Sequence, residues 1–216
     1  VDFCEKPENQ KLVIDVNVHG THKVAEACER YGCQMVLLSS DHVFDGKRWF
    51  GKYDEQSKAS PVNYYGLTKY AAEGWANLYD NVKIVRTSYL FDKDRLQDKG
   101  WGEYPTFIKR NFMHYEHFAN RLSLYLQNIK DMPKVLHLAG SVNLSWYDFM
   151  RKLAIYNYDD KYGGSQFTYP RYRETKGDCA KRPHNLNLDV SLSKSLGFDI
   201  VSYLDGFETL TLESLA

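Results

Sequence analysis

Three short apolar runs constrain the fold most tightly: QMVLLSSD (34–41), VKIVRTSYLF (82–91) and KVLHLAG (134–140). Runs of this length suit strands buried on both faces, as in a parallel sheet. Helical patterns separate them. Residues 8–31 read as one helix with Val24, Ala25, Cys28 and Tyr31 on a face and Gly32 at its end. A second is expected from about Tyr65 to Asp80, placing Ala71, Ala72, Trp75, Leu78 and Tyr79 together. TFIKRNFMHYEHF (106–118) and LSLYLQNIK (122–130) also look helical. SWYDFMRKLAIY (145–156) is amphipathic, with Trp146, Phe149, Met150, Leu153 and Ala154 in register and Ser145 and Asp148 spaced as a capping pair. LDVSLSKSLGF (188–198) reads as a short helix closed by Gly197.

Strands alternating with helices predict an α/β chain with a doubly wound parallel sheet. Ligands of such sheets sit beyond the carboxyl ends of the strands. That rule singles out Ser39-Ser40-Asp41, Thr87-Ser88 and Ala139-Gly140.

A reductase acting on a carbonyl needs a hydride source, a proton donor and a group that polarises the carbonyl. A tyrosine can donate the proton if a nearby cation draws its pKa down from about 10. A lysine four residues on shares its helix face, and a strand-end hydroxyl can bond the carbonyl oxygen. Among 17 tyrosines, Tyr-x-x-x-Lys occurs at Tyr65/Lys69, Tyr79/Lys83, Tyr89/Lys93 and Tyr172/Lys176. Only Tyr65/Lys69 opens a helix directly after a strand that ends in a hydroxyl, Ser40. Tyr79 lies on an apolar helix face, Tyr89/Lys93 crosses a strand end, and Tyr172/Lys176 follows Pro170 in an irregular segment.

Composition removes other classes. Twenty-eight basic residues balance 28 acidic ones, which gives no charge-driven attraction to nucleic acid or membrane. No run approaches a membrane span, and no start resembles a signal peptide. Cys4, Cys28, Cys33 and Cys179 lack the paired spacing of a zinc site or disulfide framework. His19 and His22 lack a third ligand, so no metal site is expected. The cytoplasm is the simplest compartment.

LLSSDHVFDG, PVNYYGLTKYAAE and IVRTSYLF, in that order, resemble the extended short-chain dehydrogenase/reductase superfamily. More narrowly they are similar to its dTDP-4-dehydrorhamnose reductase branch. VDFCEKPENQKLVIDVNVHGTHKVAEA upstream, with HLAGSVNLSWYDF and KRPHNLNLDVSLSKSLGF downstream, extends the likeness over nearly the whole chain. The resemblance implies a Rossmann-type sheet in residues 1–95 and a small α+β substrate-binding part in 96–216, with 134–140 returning a strand to the main sheet. It implies NADP or NAD as cofactor and a nucleotide-linked 4-keto-6-deoxy sugar as substrate. A homodimer is one option for assembly.

Residue by residue, the resemblance implies Tyr65 as general acid, Lys69 as its partner and ribose ligand, and Ser40 where the branch has threonine. Tyr65, Ser39, Thr87 and Ser88 fall beside the cofactor, and Asn17 supports Lys69 through water. Asp41, His42, Arg182 and Asn185 fall on the substrate side. Asp41 also suits a turn cap, His42 a surface loop, Asn17 a helix start, and Arg182 and Asn185 plain packing. Two departures stand out. His42 replaces the branch's tyrosine, and no glycine-rich phosphate turn is present, the nearest glycines being Gly100 and Gly102. The expectation is therefore that a βαβ unit preceding Val1, and a polar loop near FANRLSLYL, are absent from this sequence. An epimerase or dehydratase, or a regulatory subunit like the β subunit of methionine adenosyltransferase, would share much of the motif set.

Overall fold

The structure, a computed structural model, describes residues 1–92, 107–156 and 180–199. The first helical run is longer than one regular helix. A short α1 (Asp2–Glu5) precedes α2 (Pro7–Ile14), a π-helical stretch over Asp15–Gly20, and α3 (Thr21–Arg30). Pro7 at the start of α2 has no N–H to lose there. The expected face of α3 is only partly right: Ala25 is fully buried, whereas Val24 is 51% and Tyr31 76% exposed.

A three-stranded parallel sheet follows, ordered β1 (Met35–Ser40), β2 (Val82–Thr87), β5 (Val135–His137). α4 (Tyr64–Ala76) joins β1 to β2 and packs, with α3, on one sheet face. There Ala25, Ala72 and Ala76 meet Leu37, Val82 and Ile84; the alanines let helix and strand approach closely. The other face buries Val85 and Leu136 against Val43, Phe44, Tyr53, Leu138 and Leu186. Leu78, expected in the α4 stripe, is exposed beyond the helix end, and Ala71 faces solvent.

Two expectations fail at the second sheet. VKIVRTSYLF is not one strand: it breaks at Ser88, and β3 (Tyr89–Phe91) crosses into another sheet. Residues 109–114 are not helical. They form β4 (Lys109–His114), which pairs with β3, with β6 (Asn143–Ser145) and with β7 (Asn185–Leu186). Pairing with three partners, all remote in the chain, overrides the local periodicity. The helix starts only at Tyr115, as α5 (Tyr115–Gln127).

Phe91, Phe112, Phe149 and Met150 form the second sheet's core, with the Phe112 and Phe149 rings stacked at 3.9 Å. Phe149 lies on α6 (Trp146–Tyr156), capped as expected: the Ser145 hydroxyl accepts from Asp148 N at 2.9 Å and donates to its carboxylate at 2.7 Å. Gly140 has no room for a side chain, since a Cβ would stand 1.9 Å from Phe112 O. That close approach seats the end of the first sheet on β4. The last helix, α7 (Ser191–Ser195), ends before Gly197, whose φ of 85° favours glycine. Among the described residues no helix is long and apolar enough to cross a membrane. Lys93, Gly100, Gly102, Tyr172, Lys176, Cys179 and the side chains of Leu153 and Ala154 lie outside the described residues.

Candidate active site

The site forms where β1 ends and α4 begins. Asn63 caps α4, its Oδ1 accepting from Gly66 N at 2.8 Å. Gly66 lies against the chain after β1: a Cβ there would stand 2.1 Å from His42 O. This contact draws His42 to the first turn of α4, and its ring meets the Tyr65 ring edge-on at 5.5 Å. Asn63 Nδ2 also contacts His42 Nδ1 at 3.0 Å and donates to Lys181 O at 2.8 Å. Three distant segments thus meet at one amide.

The strand ends supply a polar cluster around Asp41, which is 2% exposed. Ser40 Oγ donates to Asp41 Oδ1 at 3.1 Å, and Ser88 Oγ donates to Oδ2 at 2.6 Å. Ser40 Oγ also accepts from His42 N at 3.2 Å. Arg110, 4% exposed, brings Nε to 3.6 Å from Asp41 Oδ2 while Nη1 donates to Lys109 O and Pro183 O. Ser88 accepts from Asn111 N at 3.2 Å, which explains the strand break there. Ser40 and Thr87 are register partners across β1 and β2, so both expected strand ends open together.

The electrostatics of Tyr65 differ from the sequence expectation. Burial pushes its phenol above the usual value. The Ser40 hydroxyl opposes this, while Asp41 and Cys4 add to it. The Lys69 ammonium does not pull it down; it donates instead to Leu38 O at 2.8 Å. Leu38 belongs to β1, which among the described residues pairs only with β2, so its carbonyl is available to Lys69. Burial lowers the Lys69 pKa, and Glu73 one turn along α4 opposes that. The phenol consequently holds its proton, as a general acid must.

Other expected residues have mixed placements. Ser39 is turned to the far side of β1, where its hydroxyl donates to Glu73 at 2.5 Å and is committed there rather than to a cofactor. Ser88 is likewise engaged by Asp41. Thr87 Oγ1 is buried, with no hydrogen-bond partner among the described residues. Asn17, on the π-helical stretch, donates to Thr68 Oγ1 at 3.1 Å, and Thr68 donates to Tyr65 O, so it braces the first turn of α4 directly. Arg182 pairs with Asp2 at 2.7 Å. The Asn185 amide donates to Arg48 O at 2.8 Å, pinning the loop after β1 to β7. Arg110, Asn63 and Asn111 were not singled out from the sequence. Asn63 carried a readable signal, since it stands two residues before the motif tyrosine, as helix caps do. Arg110 carried none, because its partners are remote in the chain.

A family model, the RmlD substrate binding domain, matches residues 1–103. A dTDP-4-keto-6-deoxy-D-glucose reductase of Streptomyces niveus is 36% identical over 93 residues, 42% of this chain and 32% of the reductase. The first 103 residues, just under half of this chain, thus resemble the RmlD-like reductases. The chain spans only about a quarter to a third of the curated reductases it matches first, 32% and 26% of their lengths. Over a longer stretch, 204 residues, it is 25% identical to the rat methionine adenosyltransferase 2 subunit beta, covering 84% of this chain and 58% of that one. In fold it is similar to the dTDP-4-dehydrorhamnose reductase of Bacillus anthracis solved in complex with NADP. That likeness has a TM-score of 0.80 at 24% identity, over 99% of this chain and 76% of that one.

The donor set fits one half of a nicotinamide dinucleotide. Lys69 uses one of its three ammonium protons on Leu38 O, and among the described residues nothing bonds the buried Thr87 hydroxyl. Both lie at the carboxyl edge of the parallel sheet, where the ribose and nicotinamide of such cofactors sit.

Proposed function

We propose that the intact protein reduces a nucleotide-linked 4-keto-6-deoxy sugar, using NADPH or NADH. The observation that carries this reading is the convergence of Tyr65, Ser40 and His42 at the joined ends of β1 and α4, with the Tyr65 proton held by burial. Bound cofactor would supply the hydride. Tyr65 and Ser40 bond the carbonyl oxygen, and Tyr65 gives up its proton as negative charge develops there. Lys69 and Thr87 hold the cofactor's ribose and nicotinamide side, with Ser88 keeping Asp41 in place. Ser39 contributes through its backbone and its grip on α4.

Asp41 and His42 orient the sugar. Arg182 meets the diphosphate by leaving Asp2, a surface pair that costs little to exchange. Asn185 shapes the sugar side through the Arg48 loop. Residues 1–95 act as part of the dinucleotide-binding domain and 96–216 mainly as the substrate-binding part, with 134–140 returning to the main sheet. A cytoplasmic enzyme without nucleic-acid or membrane partners, as a monomer or homodimer, fits the balanced charge. In assay, the intact protein consumes NADPH only when a dTDP-4-keto-6-deoxy sugar is added. Interconversion of sugars without net NADPH oxidation would point to an epimerase or dehydratase instead.

The length of the match to the methionine adenosyltransferase subunit supports a second reading, a regulatory subunit that keeps the fold. Co-purification with a methionine adenosyltransferase, together with no reduction of any keto sugar, would select it.

A further inference from the structure

The Asn63 side chain cannot be turned around. Its Oδ1 accepts from Gly66 N at 2.8 Å, and its Nδ2 donates to Lys181 O at 2.8 Å. Reversing the amide would break both bonds. The same Nδ2 lies 3.0 Å from His42 Nδ1, and an amide nitrogen has two protons and no lone pair to offer. His42 Nδ1 must therefore be the acceptor, which leaves the proton of the neutral ring on Nε2.

We propose that Asn63 locks His42 in the Nε2–H tautomer, so that the site offers the substrate a neutral hydrogen-bond donor beside Tyr65. The substrate half of this inference rests on the reductase reading. A donor there suits an oxygen of a keto or hydroxy sugar and opposes the ammonium of an amino sugar, which also brings only protons.

Protonation of His42 is resisted from several sides. It would set a proton on Nδ1 against the Asn63 amide protons. It would also add a cation near Arg110 of β4 and Arg182 of the 180–182 segment; Asp41 favours it, and the Tyr65 phenol is neutral. Burial leads these effects, and together they lower the His42 pKa to about 4.

Long-range proton–nitrogen spectra of the intact, histidine-labelled protein test the assignment without turnover. The expected pattern is a bare Nδ1 and a protonated Nε2, unchanged from pH 8 to pH 5. An Nδ1–H pattern, or titration near the ordinary histidine value of about 6.5, would overturn it. Asn63→Asp keeps a good helix cap but presents an acceptor to Nδ1. The neutral tautomer should then reverse and the His42 pKa should rise above about 6.5; an unchanged spectrum contradicts the lock. For the substrate half, His42→Phe should raise KM at least tenfold with kcat little changed, and His42→Gln, which retains a donor, should recover most of it. Equal KM values for the Phe variant and wild type would overturn the donor role. If the wild-type protein turns over no keto sugar, the reductase reading fails while the spectra still decide the tautomer.

Discussion

Two buried acid–arginine pairs lie within the same sheet neighbourhood and are built differently. Beneath α4, Glu73 takes a two-pronged bond from Arg86, at 2.9 Å from Nε and 2.8 Å from Nη2, and a third from Ser39 at 2.5 Å. At the strand ends, Arg110 approaches Asp41 by one nitrogen at 3.6 Å, and the Asp41 oxygens are held mainly by Ser40 and Ser88. The first pair is closed, its charges fully committed to joining α4 to β1 and β2. The second is looser and sits at the ends of β1 and β2. The contrast separates a pair that bonds its partner directly from a pair whose charges are held mainly by neighbouring hydroxyls and carbonyls.

Matched amide substitutions break the comparison most sharply. Glu73→Gln should cost about 3–5 kcal/mol in urea unfolding, because it leaves the Arg86 charge buried without its counter-ion. Asp41→Asn should cost less, about 1–3 kcal/mol, since Arg110 keeps its bonds to Lys109 O and Pro183 O. Equal losses would mean that the two pairs do the same job.

Acid sharpens the same contrast. His137, fully buried beside Arg86, is lowered to about 3 by burial and by that guanidinium, and His42 to about 4. Both folded values lie below the unfolded value of about 6.5, so the unfolded chain binds more protons. Stability is therefore present above pH 6.5 and is lost as pH falls below it, by at most about 1.4 kcal/mol per pH unit for each histidine. Unfolding curves between pH 7 and pH 5 should show this slope, and His137→Gln should flatten it by up to half. The smallest effect is expected from Ser88→Ala, about 1 kcal/mol in the same assay, because Ser40 still bonds Asp41.

The legible parts of this molecule were those written locally. Strand β1, the helix after it and the Ser145 cap each follow from residues within one or two turns of each other. Strand β4 was misread because RNFMH matches a helix as well as a strand, and its pairing with β3, β6 and β7 depends on segments far away in the chain. The Lys69 contact was missed for a similar reason. Position i+4 places its ammonium on the Tyr65 face, but the Leu38 carbonyl on a neighbouring strand takes it. Ser39 and Ser40 are adjacent in sequence, yet alternation along β1 turns one to Glu73 and the other to the site.

The central claim is that Tyr65, kept protonated by its surroundings, completes the reduction of a sugar carbonyl. Single-turnover rates of Tyr65→Phe in the intact protein, with NADPH and a dTDP-4-keto-6-deoxy sugar, test it most directly. The rate should fall by about 10²–10⁴-fold, while the dissociation constant for NADPH stays unchanged. A phenylalanine variant that reduces the sugar at close to the wild-type rate would contradict the account.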